Sequence, residues 1–208
     1  MEKWKIAVIV LLIAALGGYG FYQQNPATTT PDETTPVATP MPSKQKLLKL
    51  KGQAPPSWNF DRVHWLNTPQ PITPADVKGY VTFIEFWRTG CSHCEESIPF
   101  MNKLFTTYSP RGVKFIAIHS PGAPDSPAQP NPENNWGEVQ QFAKEHGIKY
   151  PVAFDEGGVL FKQQYGGATY PTMMIVDKSG KVAFIQTGHT PDKEVAVRAA
   201  LEKELKRK

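Results

Sequence analysis

The strongest constraint on the fold is an apolar run that leads directly into the only two cysteines of the chain. Residues 81–87, VTFIEFW, are apolar apart from Glu85 and rich in β-forming side chains, which predicts a buried central strand. The segment CEESIPFMNKLFTTY, which starts at Cys94, carries apolar residues at helical spacing. Cys91 and Cys94 are therefore expected where a strand ends and a helix begins.

The rest of the domain continues the alternation of strands and helices. Strands are predicted at 113–120 and 150–155, helices at 134–147 and 158–166, a β-hairpin at 172–188, and a last helix capped by Thr190 with Pro191 in its first turn. This order predicts an α/β domain whose central sheet is covered by helices on both faces. A chain of 208 residues, 40% of them hydrophobic, is long enough for one such domain with appendages.

The N-terminus has the composition of an export signal. Two lysines precede Ile6–Tyr22, a run of 17 residues without a charge, which predicts a signal or membrane anchor over residues 1–22. We expect an uncleaved anchor, with a cleaved signal at the small residues Ala15 and Gly17 as the alternative. The lysines should remain in the cytoplasm, which places the rest of the chain outside it.

Two further features of the composition bound the domain and its partners. Residues 23–45 are rich in proline and threonine and should form a disordered, semi-rigid linker, which leaves 46–208 for the folded domain. The net charge is +4, and the basic residues are spread out rather than grouped in a stripe with aromatics. This pattern argues against a nucleic-acid partner.

The Cys91–Cys94 pair admits a redox, a metal-binding or a structural interpretation. A disulfide across so short a loop stabilises a fold poorly. A structural zinc site needs four ligands, and the chain has no second cysteine pair to supply the other two. Covalent haem needs a histidine where Glu95 stands. A helix N-terminus favours the thiolate, so the pattern favours redox chemistry, with Cys91 as nucleophile and Cys94 as resolving thiol.

The segment FIEFWRTGCSHCEESIP resembles the active site of the thioredoxin superfamily, with Trp87 ahead of the cysteines and Pro99 in the helix after them. ATYPTMMIVDKSGKV resembles the second hallmark of that superfamily, where Pro171 matches the cis-proline that faces the cysteines. Glu85 matches the buried acid of classical thioredoxins. More narrowly, WLNTPQPITPADVKGYVTFIEFW, IAIHSP and YPVAFD resemble extracytoplasmic TlpA-like and DipZ-like domains, and the likeness covers residues 60–205.

This resemblance implies a thioredoxin-like fold with a mixed sheet and an oxidoreductase that acts on protein thiols and disulfides. Glu85 is then expected to move the proton, while Tyr170, Pro171 and Trp87 are expected to contact the substrate. No bound cofactor is needed, because Cys91 and Cys94 carry the electrons. The resemblance also implies a membrane redox partner and a reductive role, with cytochrome c maturation as one setting. The N-terminal signal and anchor suit an inner membrane with the domain facing the periplasm, and a single-membrane bacterium stays an alternative.

Two positions depart from the pattern of these families, and a third, His93, resembles disulfide isomerase-like and DsbA-like sites, with an exposed, uninvolved imidazole as the alternative. Gly90 replaces the tryptophan that usually precedes the first cysteine, and Ser97 replaces a glutamate found in several TlpA-like reductases, which leaves Glu85 as the proton carrier. His93 lies between the cysteines, where an imidazole can stabilise the thiolate of Cys91 and make the disulfide more oxidising. His93 and Gly90 therefore favour oxidation or isomerisation, against the reductase that the resemblance implies.

Other classes of protein fit the sequence less well. His119 or His189 could join the cysteines as copper ligands, as in Sco-like metal-delivery proteins, although those have three residues between their cysteines. Peroxiredoxins need a threonine three residues before the reactive cysteine, where this chain has Arg88. A non-catalytic interaction domain stays open. We expect His64 and His146 to be surface or packing residues, and the Pro/Asn-rich insert at 120–135 to border the substrate groove or be a solvated excursion.

Overall fold

A six-stranded mixed sheet organises the part of the chain that the computed structural model describes, residues 43–58, 64–122 and 135–207. Its strands are β1 (Trp65–Leu66), β2 (Thr82–Trp87), β3 (Lys114–His119), β4 (Val152–Phe154), β5 (Thr172–Val176) and β6 (Val182–Thr187). The α-helices are α1 (Ser43–Leu48), α2 (Pro74–Val77), α3 (Ser92–Tyr108), α4 (Trp136–Glu145) and α5 (Pro191–Lys206). Short 3₁₀ turns lie at 109–111 and 156–158, and a π-helical turn lies at 160–164.

Strand β2 lies inside the sheet, whose order is β1-β4-β3-β2-β5-β6. It runs parallel to β3 and antiparallel to β5. Strand β3 in turn runs parallel to β4. Trp87 at the end of β2 is paired with His119 at the end of β3, and Phe86 is paired with Thr172 at the start of β5. The end of β2, the end of β3 and the beginning of β5 therefore meet at one edge, and the loop to Cys91 leaves from there.

Alternation along β2 divides its side chains between two cores, because successive residues of a strand point to opposite faces. Phe83 and Trp87 belong to the core formed with α3, α4 and α5. Ile84 and Phe86 belong to the core formed with α1 and the turn at 160–164. Glu85 shares the face of Phe83 and Trp87 and so points toward α3. The prediction of an α/β sheet covered on both faces is confirmed.

The N-terminal part of the described chain differs from the expected layout. Helix α1 begins at Ser43, so the predicted linker boundary at residue 45 lies inside a helix. After it, residues 51–53 pair with β6: the N–H of Gly52 donates to the Val182 carbonyl and the N–H of Val182 donates to the Gln53 carbonyl, each at 2.8 Å. The chain between 43 and 53 is thus part of the folded domain.

The predicted anchor at 1–22 and most of the predicted linker lie outside the described residues, as do positions 123–134 of the predicted insert. Within 43–58, 64–122 and 135–207, no helix is both long enough and apolar enough to cross a membrane. The anchor and the linker before residue 43 therefore stay predictions.

Candidate active site

The two cysteines form a disulfide at the N-terminus of α3, with their Cα atoms 5.2 Å apart. Cys91 is the N-cap residue, and its Sγ accepts a hydrogen bond from the N–H of Cys94 at 3.2 Å. Gly90, with a φ of 62°, supplies the left-handed backbone that turns the chain into the helix. Cys94 is only 2% exposed, whereas Cys91 is partly exposed. Of the two sulfurs, that of Cys91 is therefore the one an incoming substrate can reach.

Glu85 lies beneath this helix as a buried carboxyl group. Its side chain is 1% exposed, and its described partner is Ser97, whose hydroxyl lies 3.4 Å from Oε1. Within the described residues Oε2 has no hydrogen-bond partner. Burial raises the pKa of Glu85 from 4.5 to about 8, and the hydrogen bond from Ser97 opposes this rise. Near neutral pH this carboxyl group can both hold and release a proton.

Ser97 connects the buried acid to the cysteine pair. It occupies the first turns of α3, is 1% exposed, and its hydroxyl also lies 2.7 Å from the backbone carbonyl of Cys94. The hydroxyl thus stands between the Cys94 backbone and the Glu85 carboxyl group. A buried strand glutamate can also serve as the partner of a lysine, but among the described residues Glu85 forms no such ion pair.

Tyr170 and Pro171 lie at the sheet edge where the cysteine loop begins. The peptide bond between them is cis, as the resemblance implies, and the Pro171 carbonyl accepts a hydrogen bond from the N–H of Gly188 at 2.7 Å. The ring of Tyr170 packs against Phe161 at 4.9 Å, and the guanidinium of Arg88 lies 5.8 Å from its centroid. Tyr170 is partly exposed, which suits the predicted contact with substrate.

Trp87, predicted above to contact substrate, is instead 2% exposed. Its ring meets His119 edge-on at 5.0 Å and packs against Phe142 at 5.6 Å. The side chain points into the core because position 87 shares the inward face of Phe83 and Glu85. It lies beneath the site, where it can support the cysteine loop by packing.

His93 is exposed on the outer side of α3. Its Nδ1 lies 3.2 Å from Oε2 of Glu96, and both side chains are more than 60% exposed. This pairing turns the imidazole toward the Glu96 carboxylate, one turn along the helix. These contacts do not test the prediction that His93 stabilises the thiolate of Cys91.

The remaining histidines occupy separate surroundings. His119 is fully buried, whereas Nε2 of His189 lies 3.0 Å from Oε1 of Glu194. His64 stacks on Trp136 and His146 stacks on Phe142, the packing or surface role expected of them. Across 43–58, 64–122 and 135–207, no three or more His, Cys, Asp or Glu side chains are grouped so as to hold a metal ion.

Two features of the site could not be recognised from sequence motifs. The first is a hydrogen bond from the backbone N–H of Thr89 to Nε2 of His119, at 3.1 Å. The second is the buried carboxylate of Asp155, which accepts from Ser120 Oγ at 2.8 Å and from the N–H groups of Leu160 and Phe161 at 3.0 and 3.1 Å. Asp155 therefore ties the end of β3 to the turn at 160–164. A polar residue that follows a short buried strand was the only signal available for it.

Comparison with known proteins agrees with this geometry. The Redoxin family profile matches residues 40–201. The thiol-disulfide oxidoreductase ResA of Bacillus thuringiensis subsp. konkukian is 36% identical over 111 residues, which cover 53% of this chain and 57% of that protein. The thioredoxin-like protein YneN of Bacillus subtilis is 22% identical over 195 residues, 94% of this chain and 95% of that one.

Solved structures show the same fold. The solution structure of a thioredoxin-like protein in the oxidised form covers 74% of this chain and 98% of its own, with a TM-score of 0.61 and 25% identity. The match to the ResA protein, however, spans less than two thirds of that relative's length. The fold is thus thioredoxin-like, and the Cys91–Cys94 disulfide occupies its strand-to-helix edge.

Proposed function

The chain belongs to the Redoxin family, and on this premise we propose that it is a thiol–disulfide oxidoreductase that exchanges electrons with protein thiols and disulfides. The observation that carries the proposal is the asymmetric disulfide at the start of α3, with Cys91 partly exposed and Cys94 buried over a buried carboxyl group. The match to ResA, a protein named a thiol-disulfide oxidoreductase, supports the same activity.

In the reduced protein, Cys91 attacks a substrate disulfide. The N–H of Cys94 and the positive end of α3 lie at the Cys91 sulfur and stabilise its thiolate. The thiolate forms a mixed disulfide with one substrate sulfur, and the other substrate sulfur leaves as a thiolate that takes up a proton.

Cys94 then resolves the mixed disulfide. Its thiol gives its proton to the ionised fraction of Glu85, whose pKa of about 8 is close to that of an ordinary thiol. The Cys94 thiolate attacks the sulfur of Cys91, the second substrate sulfur departs, and the Cys91–Cys94 disulfide forms. Two electrons have moved from the chain to the substrate, and an external dithiol must restore the reduced pair.

The direction of flow that we propose is reduction of the substrate. This direction follows the resemblance to TlpA-like reductases, and the pairing of His93 with Glu96 leaves the effect of His93 on Cys91 open. We further propose that residues 1–22 anchor the domain in the inner membrane, that it faces the periplasm, and that a membrane redox protein supplies its electrons. These proposals rest on the charge pattern of the N-terminus and on the resemblance to TlpA-like reductases, which suggests apocytochrome c among the substrates.

The decisive experiment combines trapping with a redox titration. With insulin as the substrate disulfide, Cys94→Ser should accumulate a mixed disulfide through Cys91, and the matched Cys91→Ser variant should accumulate none. Equilibration of the wild-type pair against dithiol buffers should give a reduction potential near that of thioredoxin, about −270 mV. A potential near −120 mV would reverse the proposed direction. A pair that neither traps substrate nor equilibrates would refute the enzyme itself.

A further inference from the structure

His119 is a buried titratable residue that the mechanism above does not use. Its side chain is 0% exposed, stacks on Phe154 at 5.6 Å and meets the edge of Trp87 at 5.0 Å. Its Nε2 accepts from the backbone N–H of Thr89, and its Nδ1 has no partner among the described residues. One ring nitrogen is therefore committed to the segment that leads into Cys91.

The hydrogen bond from Thr89 to His119 takes the place of the next backbone hydrogen bond between β2 and the chain that follows β3. The last regular bond at this edge runs from the N–H of Ser120 to the Trp87 carbonyl, at 2.8 Å. A parallel ladder would continue by pairing the N–H of Thr89 with a backbone carbonyl of the β3 chain. The imidazole of His119 accepts that N–H instead. The strand pairing ends, and the buried N–H of Thr89 still has an acceptor.

The geometry also fixes the protonation of the acceptor. Thr89 is 9% exposed, so its N–H needs a protein partner. An imidazole nitrogen accepts only when it carries no proton, so the neutral ring has its hydrogen on Nδ1. Burial lowers the pKa of His119 to about 3, and the charge of Arg88 acts in the same direction. The ring is thus neutral, and able to accept, across the physiological range of pH.

We propose that His119 is a positioning residue, whose Nε2 holds Thr89 and thereby fixes the 88–90 loop that sets Cys91 at the N-terminus of α3. The inference rests on the proposed oxidoreductase function for its meaning, since the sulfur so placed is the nucleophile. Only Gly90 separates the held peptide from Cys91, and its left-handed backbone transmits the orientation of that peptide. If the loop is released, the Cys91 thiolate moves away from the helix terminus that stabilises it.

The test compares replacements that differ in where they place an acceptor. His119→Gln can set its amide oxygen near the position of Nε2, whereas the oxygen of His119→Asn falls short of it and His119→Leu has none. His64→Leu is the matched control, because His64 also neighbours Phe154 and is not hydrogen-bonded to Thr89. Circular dichroism and thermal unfolding identify the variants that fold.

Two readouts follow the loop and the sulfur separately. Amide exchange at Thr89 should be roughly five- to tenfold faster in His119→Leu and His119→Asn, the factor expected for loss of one hydrogen bond. In the reduced proteins, alkylation of Cys91 near neutral pH should slow by roughly two- to fivefold in the same variants, as its thiol pKa rises. His119→Gln and His64→Leu should match the wild type in both.

Equal exchange and equal alkylation in folded Gln and Asn variants would overturn the proposal, even if the Leu variant fails to fold. A Gln variant that folds but behaves like Leu would also overturn it, since the acceptor would then not be the feature that matters. Because alkylation needs no protein substrate, a wild-type chain that fails to exchange disulfides would defeat the proposed function and leave this result standing.

Discussion

Replacement of Glu85 by glutamine should remove most of the pH dependence that the free energy of unfolding shows between pH 6 and pH 9. The carboxyl group is buried at 1% exposure, and burial raises its pKa in the folded chain from 4.5 to about 8. Between these two values the unfolded chain has released a proton that the folded chain still holds. Stability must therefore fall as the pH rises through this window.

The size of the effect follows from the two pKa values. Each pH unit between them changes the free energy of unfolding by about 1.4 kcal/mol, and the slope flattens once the folded group ionises near pH 8. From pH 6 to pH 9, Glu85 alone should cost the fold on the order of 3 kcal/mol. A glutamine of the same shape does not titrate and should escape this loss.

Urea unfolding of the oxidised protein at pH 6, 7, 8 and 9 measures the difference directly. Glu95→Gln serves as the control, because Glu95 lies beside Cys94 on the same helix with its side chain 55% exposed. We expect the free energy of unfolding of Glu95→Gln to fall with pH as it does in the wild type. That of Glu85→Gln should lie well above the wild-type value at high pH. Parallel slopes for wild type and Glu85→Gln would show that Glu85 is already ionised at pH 6 and would refute this reasoning.

Two further substitutions test the surroundings of the site. Ser97→Ala should raise the pKa of Glu85 further, because it removes the hydroxyl whose hydrogen bond lowers that pKa. Carbon NMR of the Glu85 carboxyl group measures the shift. The control is Thr106→Ala, which should leave the titration of Glu85 unchanged because the Thr106 hydroxyl bonds only to helix carbonyls. Gly167→Ala should destabilise the fold by about 1–3 kcal/mol, because a Cβ there overlaps the ring of Phe161; an unchanged melting temperature would contradict that packing.

The sheet could be predicted largely from the sequence because its inner strands are continuous apolar runs. The run at 81–87 became β2 at Thr82–Trp87, and the hairpin at 172–188 became β5 and β6. Strand β1 could not be predicted in this way. It has only two residues, too few for a recognisable pattern. It is a strand because it pairs with β4, and the position of β4 depends on the rest of the sheet.

In the site, too, features that depend on local motifs could be predicted, and contacts between distant residues could not. Cys91, Cys94 and Pro171 were recognisable because their roles depend on local motifs. The bond between Thr89 and His119 joins residues 30 positions apart, and a backbone donor leaves no trace in the residue type that carries it. Trp87 shows the opposite failure, since the motif placed it near substrate while strand alternation buried it.

The position of β2 between β3 and β5 has a consequence for how the chain is synthesised. The ribosome completes β2, α3 and β3 well before Thr172 emerges, and β5 is the antiparallel neighbour of β2. Until then one edge of β2, which includes Ile84 and Phe86, has no strand beside it, and such an edge is a template for aggregation. A nascent chain stalled ahead of Thr172 therefore carries both cysteines and their helix on an incomplete sheet that needs protection from its neighbours.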